Sequence, residues 1–191
     1  MRSLSIQHNR VLTGFIAAML GVLILSTGAG NTMAADAALD SSAISALSDC
    51  QRISTSCAST TKNAAGILVF PSVVKADLII GGAGGKGALI ENGKITGYYN
   101  IGAGSAGLQI GVDSASQVYV FRSAQALTKL KQGPDWKVGA AAGVTLVNTD
   151  ANAKAITGDV LAYIFNATGL SAGISLDVFD VWKSGQPRPQ S

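Results

Sequence analysis

The sequence predicts an α+β fold: an N-terminal helical segment packed on a curled, mostly antiparallel, glycine-rich sheet or barrel, with one further helix. Three observations predict it. A weakly amphipathic stretch from Asp40 to about Lys62 precedes a long series of short apolar runs. The dipeptide Asn92-Gly93 joins two of those runs, and Asn-Gly between β-rich segments is the strongest short-range hairpin signal. Glycine recurs inside the runs as well as between them, which marks bulges, sharp bends or the close approach of another backbone.

Residues 1–34 have the layout of a secretory signal peptide. Arg2 and Arg10 form a basic start, Val11–Leu25 is an almost unbroken apolar run, and the small residues Thr32 and Ala34 place cleavage after Ala34. An uncleaved anchor is the other reading, but the run is shorter than the roughly 20 residues a spanning helix needs. The expectation is an exported protein, periplasmic or envelope-associated, with residues 35–184 as a single domain and 185–191 as a disordered tail. Losing the leader removes the single histidine, His8, and takes the basic residues from 14 to 12 against 11 acidic ones. That near-neutral balance carries no nucleic-acid footprint.

In the helical segment, Ile44, Leu47 and Cys50 share one face, with Asp40 or Ser41 as a cap. The scarcity of lysine and large apolar groups favours a helix that packs on the core over one that seeks membranes. Cys50 and Cys57 are the only cysteines. On one straight helix they would lie roughly 10 Å apart, too far to bond, so a disulfide requires a break between them; two buried thiols are the alternative. Beyond Gly66, strands are expected over 67–70 (ending at Pro71), 73–80, 88–91, 94–101, 107–112, 117–122, 137–147, 160–166 and 173–182. One helix interrupts them, with Ser123 as its N-cap, Gly133 as its stop, and Lys129 and Lys131 where the helix dipole favours cations.

Gly82, Gly84 and Gly87 fit the G-x-G-x-x-G spacing of a dinucleotide cradle. Such a cradle needs a helix directly after the third glycine. The Asn92-Gly93 turn arrives too soon for one, leaving room only for a strand. A Walker A loop fails as well, because Lys86 is followed by Gly87 and not by Ser or Thr. The same spacing recurs at Gly102, Gly104 and Gly107, again inside strand-like sequence. The glycines are read as structural.

These segments resemble the SYLF family of lipid-binding and actin-binding domains. Its opening signature is matched by Val69, Phe70, Pro71, Lys75, Ala76, Gly81, Gly82, Gly85 and Gly87. A Ser-x-Gly-x-Gln-x-Gly stretch is matched by Ser105, Gly107, Gln109 and Gly111, and the closing Gly-Leu-x-Ala-Gly-x-Ser-Leu by Gly169, Leu170, Ala172, Gly173, Ser175 and Leu176. The family's Gly-Pro-x-Gly-Arg-like segment is replaced here by residues 145–155, which hold no proline and no arginine, and its Trp-containing segment by 97–101. The resemblance implies a non-catalytic domain that binds membranes through anionic phospholipid.

The residues leave little room for catalysis. Past the leader there is no histidine for a nucleophile–base pair or a His-based metal site. Glu91 is the only glutamate, and Asp177 and Asp180 would point to opposite faces of a strand. No cofactor, metal or enzymatic activity is expected. For lipid, the candidates are Lys75, Lys86 and Lys94 around the glycine segment, followed by Tyr98 and Tyr99, one of which should face outward at interfacial depth. Each exposed lysine near a negative bilayer contributes on the order of 1 kcal/mol. Solvated lysines and a core tyrosine are the plainer alternative, as they are for Lys129, Lys131 and Lys137. The function expected is binding of anionic phospholipid or the membrane surface. The alternatives are a structural or protein-interaction module of the cell envelope, with an envelope protein as partner, and a carrier of a small apolar ligand.

Overall fold

The computed structural model describes residues 28–76, 82–103, 114–133, 136–139, 142–147, 156–166, 169–170 and 179–188. The leader expected over 1–34 lies outside them except for the helical backbone from Gly28. The strand expected over 107–112 and the last three tail positions also lie outside. The chain divides into two compact units, Met1–Ala34 and Ala35–Ser191, and the second holds the sheet. No helix among the described residues is long and apolar enough to cross a membrane.

Helix α1 spans Gly28–Ile53 and α2 spans Thr55–Thr60, with a single 3-10 turn after it at Thr61–Asn63. The stretch expected to be one helix to Lys62 is thus broken. Ser54 causes the break: its backbone is extended, and its Oγ accepts from the Cys57 amide at 3.2 Å, capping α2. The break brings the Cα atoms of Cys50 and Cys57 to 6.0 Å, and the two sulfurs are bonded. Closing so short a loop contributes about 2.5 kcal/mol in the chain-entropy account.

Among the described residues, nine strands form one sheet: β1 (Gly66–Ala76), β2 (Gly82–Glu91), β3 (Lys94–Ala103), β4 (Ser114–Phe121), β5 (Trp136–Val138), β6 (Val144–Leu146), β7 (Val160–Asn166), β8 (Gly169–Leu170) and β9 (Phe179–Lys183). The order is β5-β9-β3-β2-β1-β4-β7-β6, with β8 beside β7. All pairings are antiparallel except β6 with β7. The end strands β5 and β6 are consecutive in the chain, so residues 139–143 tie the two edges together and the sheet curls nearly into a barrel. A single strand was expected over 137–147. The turn that splits it is held by the amides of Ala142 and Val144 on the Gly139 carbonyl, and Gly143 has a φ of +73°. The Asn92-Gly93 hairpin has both residues at positive φ, as a type I′ turn requires. Helix α3 (Ala124–Gln132) starts at Ser123, whose Oγ accepts from the Ala126 amide, and stops at Gly133.

Both faces of the sheet are buried over much of its area, and β7 is buried along nearly its full length. Inward, Leu68, Phe70, Leu89, Tyr99, Ile101, Tyr119, Phe121, Trp136, Ile164, Phe179 and Val181 fill the curl, with Leu127 and Leu130 of α3 among them. Outward, Ile67, Val69, Ala88, Ile90, Val118, Val120, Leu161 and Tyr163 pack against Ala43, Ala46 and Cys50 of α1 and Cys57 of α2. Inside, Tyr119 meets Phe70 and Trp136 edge-on at 6.1 and 5.6 Å between centroids, and its hydroxyl donates to Gln117 Oε1 at 2.5 Å. Burial pushes that phenol far above its ordinary range. The interior is a packed core.

Pro71 does not end its strand. Chain β1 runs through it, and its register slips against β2 between Val69 and Val74 and against β4 between Phe70 and Val73. A bulge is where a strand tolerates proline. It carries β1 close over β2. A Cβ on Gly87 would meet Phe70 Cδ1 and the Val69 carbonyl at 2.5 Å, and one on Gly85 would meet the Ser72 carbonyl at 2.5 Å. The glycines therefore admit a neighbouring backbone, and the chain after Gly87 continues as strand to Glu91.

Gly87→Ala should cost about 2–3 kcal/mol in a denaturant titration, the upper range for overpacking, because the obstacle is backbone and a locked ring. Gly93→Ala, which has open space and only the positive φ of 73° to resist it, should cost about 1 kcal/mol. Equal losses would remove the close approach as the reason for Gly87.

Candidate functional site

The strands define two ends. At one, β1 finishes at Ala76, β2 starts at Gly82, β3 finishes at Ala103, β4 starts at Ser114 and β9 starts at Phe179. The segments joining these strand ends, 77–81, 104–113 and 171–178, lie outside the described residues. They carry the whole of the Ser-x-Gly-x-Gln-x-Gly stretch and most of the closing signature, and the strands they join all reach the same end. At the other end lie the Asn92-Gly93 turn and α3.

The five lipid candidates do not form one cluster. The backbone of Lys75 sits opposite Ala83 near the glycine end, and its side chain lies outside what is described. Lys86 is exposed on β2 and, by alternation with Ala88 and Ile90, points outward. Lys94 pairs with Glu91 at the hairpin turn, five positions from Lys86 along β2, or about 17 Å. Tyr98 faces outward beside Ala88, where its hydroxyl donates to Asp40 Oδ1 of α1 at 2.9 Å. That hydrogen bond, with burial and the nearby Asp36, raises the phenol above its ordinary value. Tyr99 points inward and is only 4% exposed, which removes it from any surface role.

What the linear sequence did not show is the register around Lys86. Asn100 of β3 lies opposite Lys86, and Trp182 of β9 lies opposite Asn100, so the three form one outward row across three strands. Val74 stands 46% exposed near the same end. The outer residues that pack against α1 and α2 extend from the hairpin end of β1, β2, β4 and β7, and this row is not among them.

Two of the three lysines in the second basic group, Lys131 and Lys137, are engaged by carboxylates, and Lys129 is exposed on α3. Lys131 Nζ reaches both carboxylate oxygens of Glu91 at 3.1 Å, tying α3 to the hairpin, and Lys137 Nζ reaches Asp180 Oδ1 at 3.0 Å. Glu91 also accepts the Thr96 hydroxyl. That bond first, and Lys131 second, hold its carboxyl below the usual range against the opposing effect of burial. A shallow hollow of about 700 Å³ at the same end is lined by Arg122, Gly143, Ile156, Thr157, Gly158 and Asp159. Arg122 Nη1 donates there to the carbonyls of Ile156 and Gly158 at 3.0 and 3.2 Å, so it braces the approach to β7. Among the described residues, no group of three His, Cys, Asp or Glu side chains converges as metal ligands would.

Residues 102–185 match the family model Ysc84, described as Las17-binding protein actin regulator. The match starts within β3 and ends past β9, and the glycine hairpin of β1 and β2 precedes it. Those earlier strands sit between β3 and β4 in the sheet, so the matched stretch and the hairpin share one fold. No curated protein matches the chain at a significant level.

Because the folded-state pKa of Glu91 is depressed, its contribution to stability is present above the unfolded carboxylate value and is lost as pH falls through the folded one. Glu91→Gln should therefore lower stability at neutral pH, by about 1 kcal/mol or less for a partly exposed pair, and leave stability at acid pH almost unchanged. Urea titrations of both proteins at neutral and acid pH check this. An equal deficit at both pH values would contradict the ion pair as its source.

Proposed function

We propose, from the premise that this chain belongs to the SYLF family, a binding module associated with lipid and with actin regulation, that it is a non-catalytic binder of anionic phospholipid at a membrane surface. The observation that carries this reading is Lys86. It is an exposed cation midway along the outer face of β2, with no carboxylate partner among the described residues. The backbone of Lys75 adds a second cation position nearer the glycine end, opposite Ala83. Lysines at such a surface attract a negative bilayer by about 1 kcal/mol each, so the binding is modest and screened by salt.

Export is part of the same proposal. The arginine-flanked apolar run at residues 1–34 supports it, and so does the Cys50–Cys57 bond, since disulfides persist in oxidising compartments. An exported chain meets neither cytoskeletal actin nor its regulators, which leaves lipid as the partner class that carries over.

The protein should co-sediment with vesicles of phosphatidylcholine and phosphatidylglycerol, release at high salt, and stay in solution with phosphatidylcholine alone. Absence from both vesicle types would replace lipid by an envelope protein partner. Expressed with its leader, the protein recovered from the cell envelope should have a mass that begins at Ala35 and is two hydrogens short of the dithiol. A full-length mass with two free thiols would overturn export.

A further inference from the structure

We infer that the outer face of β2, β3 and β9 around Trp182 is the surface that seats the protein on an anionic bilayer, with Trp182 at headgroup depth and Lys86 and Arg188 against lipid phosphates. This rests on the membrane reading above and assigns it a surface that the sequence motifs do not contain.

Register builds the surface. Lys86, Asn100 and Trp182 stand in one row, and Tyr98 lies one step along the same face, beside Ala88. Directly opposed residues of this kind stand about 5 Å apart and diagonal ones about 7–8 Å, so the row spans roughly one lipid headgroup in each direction. Trp182 is half-buried, and the guanidinium of Arg188 lies 5.9 Å from its ring centroid. That cation–π contact holds a positive charge over an aromatic plane at the protein surface. An indole with a polar edge and an apolar body suits the headgroup region, and an arginine beside it suits phosphate.

Charge favours an anionic occupant. Lys86 and Arg188 are exposed and have no carboxylate partner among the described residues. Asp180, the carboxylate of β9, is already neutralised by Lys137. On α1, Asp36 and Asp40 lie on the far side of Tyr98, and Asp40 accepts its hydroxyl, so they mark an acidic border to the patch. The bilayer would therefore meet the glycine end of this face and be held away from α1.

Trp136, the other tryptophan, is 7% exposed inside the curled sheet, so a change in tryptophan emission on adding vesicles reports Trp182. With full-length protein and vesicles of equal parts phosphatidylcholine and phosphatidylglycerol, emission should shift to the blue and be quenched by brominated acyl chains. Trp182→Phe, which keeps an aromatic side chain, should abolish that signal. Lys86→Glu combined with Arg188→Glu should weaken vesicle affinity about tenfold or more, by a margin that shrinks in high salt. Both charged residues are exposed, and an unchanged urea midpoint separates loss of binding from loss of fold. If wild-type protein co-sediments while its emission stays fixed and the charge variant binds equally well, this surface is refuted and the membrane reading stands. If wild-type protein binds no anionic vesicle, both fall.

Discussion

The structure depends on the close passage of β1 over β2. The inward positions of β2 opposite the Pro71 bulge are Gly85 and Gly87, where any side chain would run into the carbonyls of Val69 and Ser72 or the ring of Phe70. A bulge bends its strand and increases local twist. With bare backbone beneath it, that bend becomes curvature of the whole sheet. The curvature brings β5 and β6 near enough for the short 139–143 turn to join them. It also lets Phe70, Tyr119, Phe121 and Trp136 meet inside as one aromatic cluster. A flat sheet of the same strands would leave those rings without partners.

Curvature also determines what the outer face requires. A convex sheet surface presents Ile67, Val69, Val118, Val120 and Leu161 to whatever covers it, and α1 meets it with small residues, Ala43, Ala46 and Cys50. Small side chains let a helix axis approach closely but bury little area each, so the cover needs additional fixing. The Cys50–Cys57 bond fixes the turn between α1 and α2. Tyr98–Asp40 and Tyr163–Thr60 fasten the two helices to strands 58 and 103 residues away. Two hydrogen bonds and one disulfide thus supply what thin apolar contact leaves short.

Features decided by neighbouring residues were legible in the sequence. The Asn92-Gly93 turn, the Ser123 cap with its Gly133 stop, and the structural role of the glycines each follow from a few adjacent side chains. Features decided by a partner strand were not. Pro71 reads locally as a terminus, and only the slipped register of both neighbours makes it the middle of a bent strand. The run 137–147 reads as one strand, yet its halves belong to opposite edges. That one of Tyr98 and Tyr99 faces out was readable from alternation, but which one depends on a register shift between Leu89 and Ile90. For the same reason Lys86 and Lys94, close in sequence, lie far apart along β2, whereas Trp182 joins Lys86 from nearly a hundred residues away.

The division of the outer face gives the domain its functional logic. A glycine-rich strand pair cannot bury much area, because it has few side chains to offer a covering helix. The cover lies over β2, β1, β4 and β7, whose apolar outward residues extend from the hairpin end. Toward the glycine end, the outer faces of β2 and β3 carry Gly84 and Gly102 beside Lys86 and Asn100 and are not part of the covered apolar cluster. Lys86, Asn100 and Trp182 form the outward row there, with Arg188 beside the Trp182 ring. The inward side of the β1–β2 pair thus serves curvature, while its outward side alternates between the covered apolar cluster and the row of Lys86, Asn100 and Trp182.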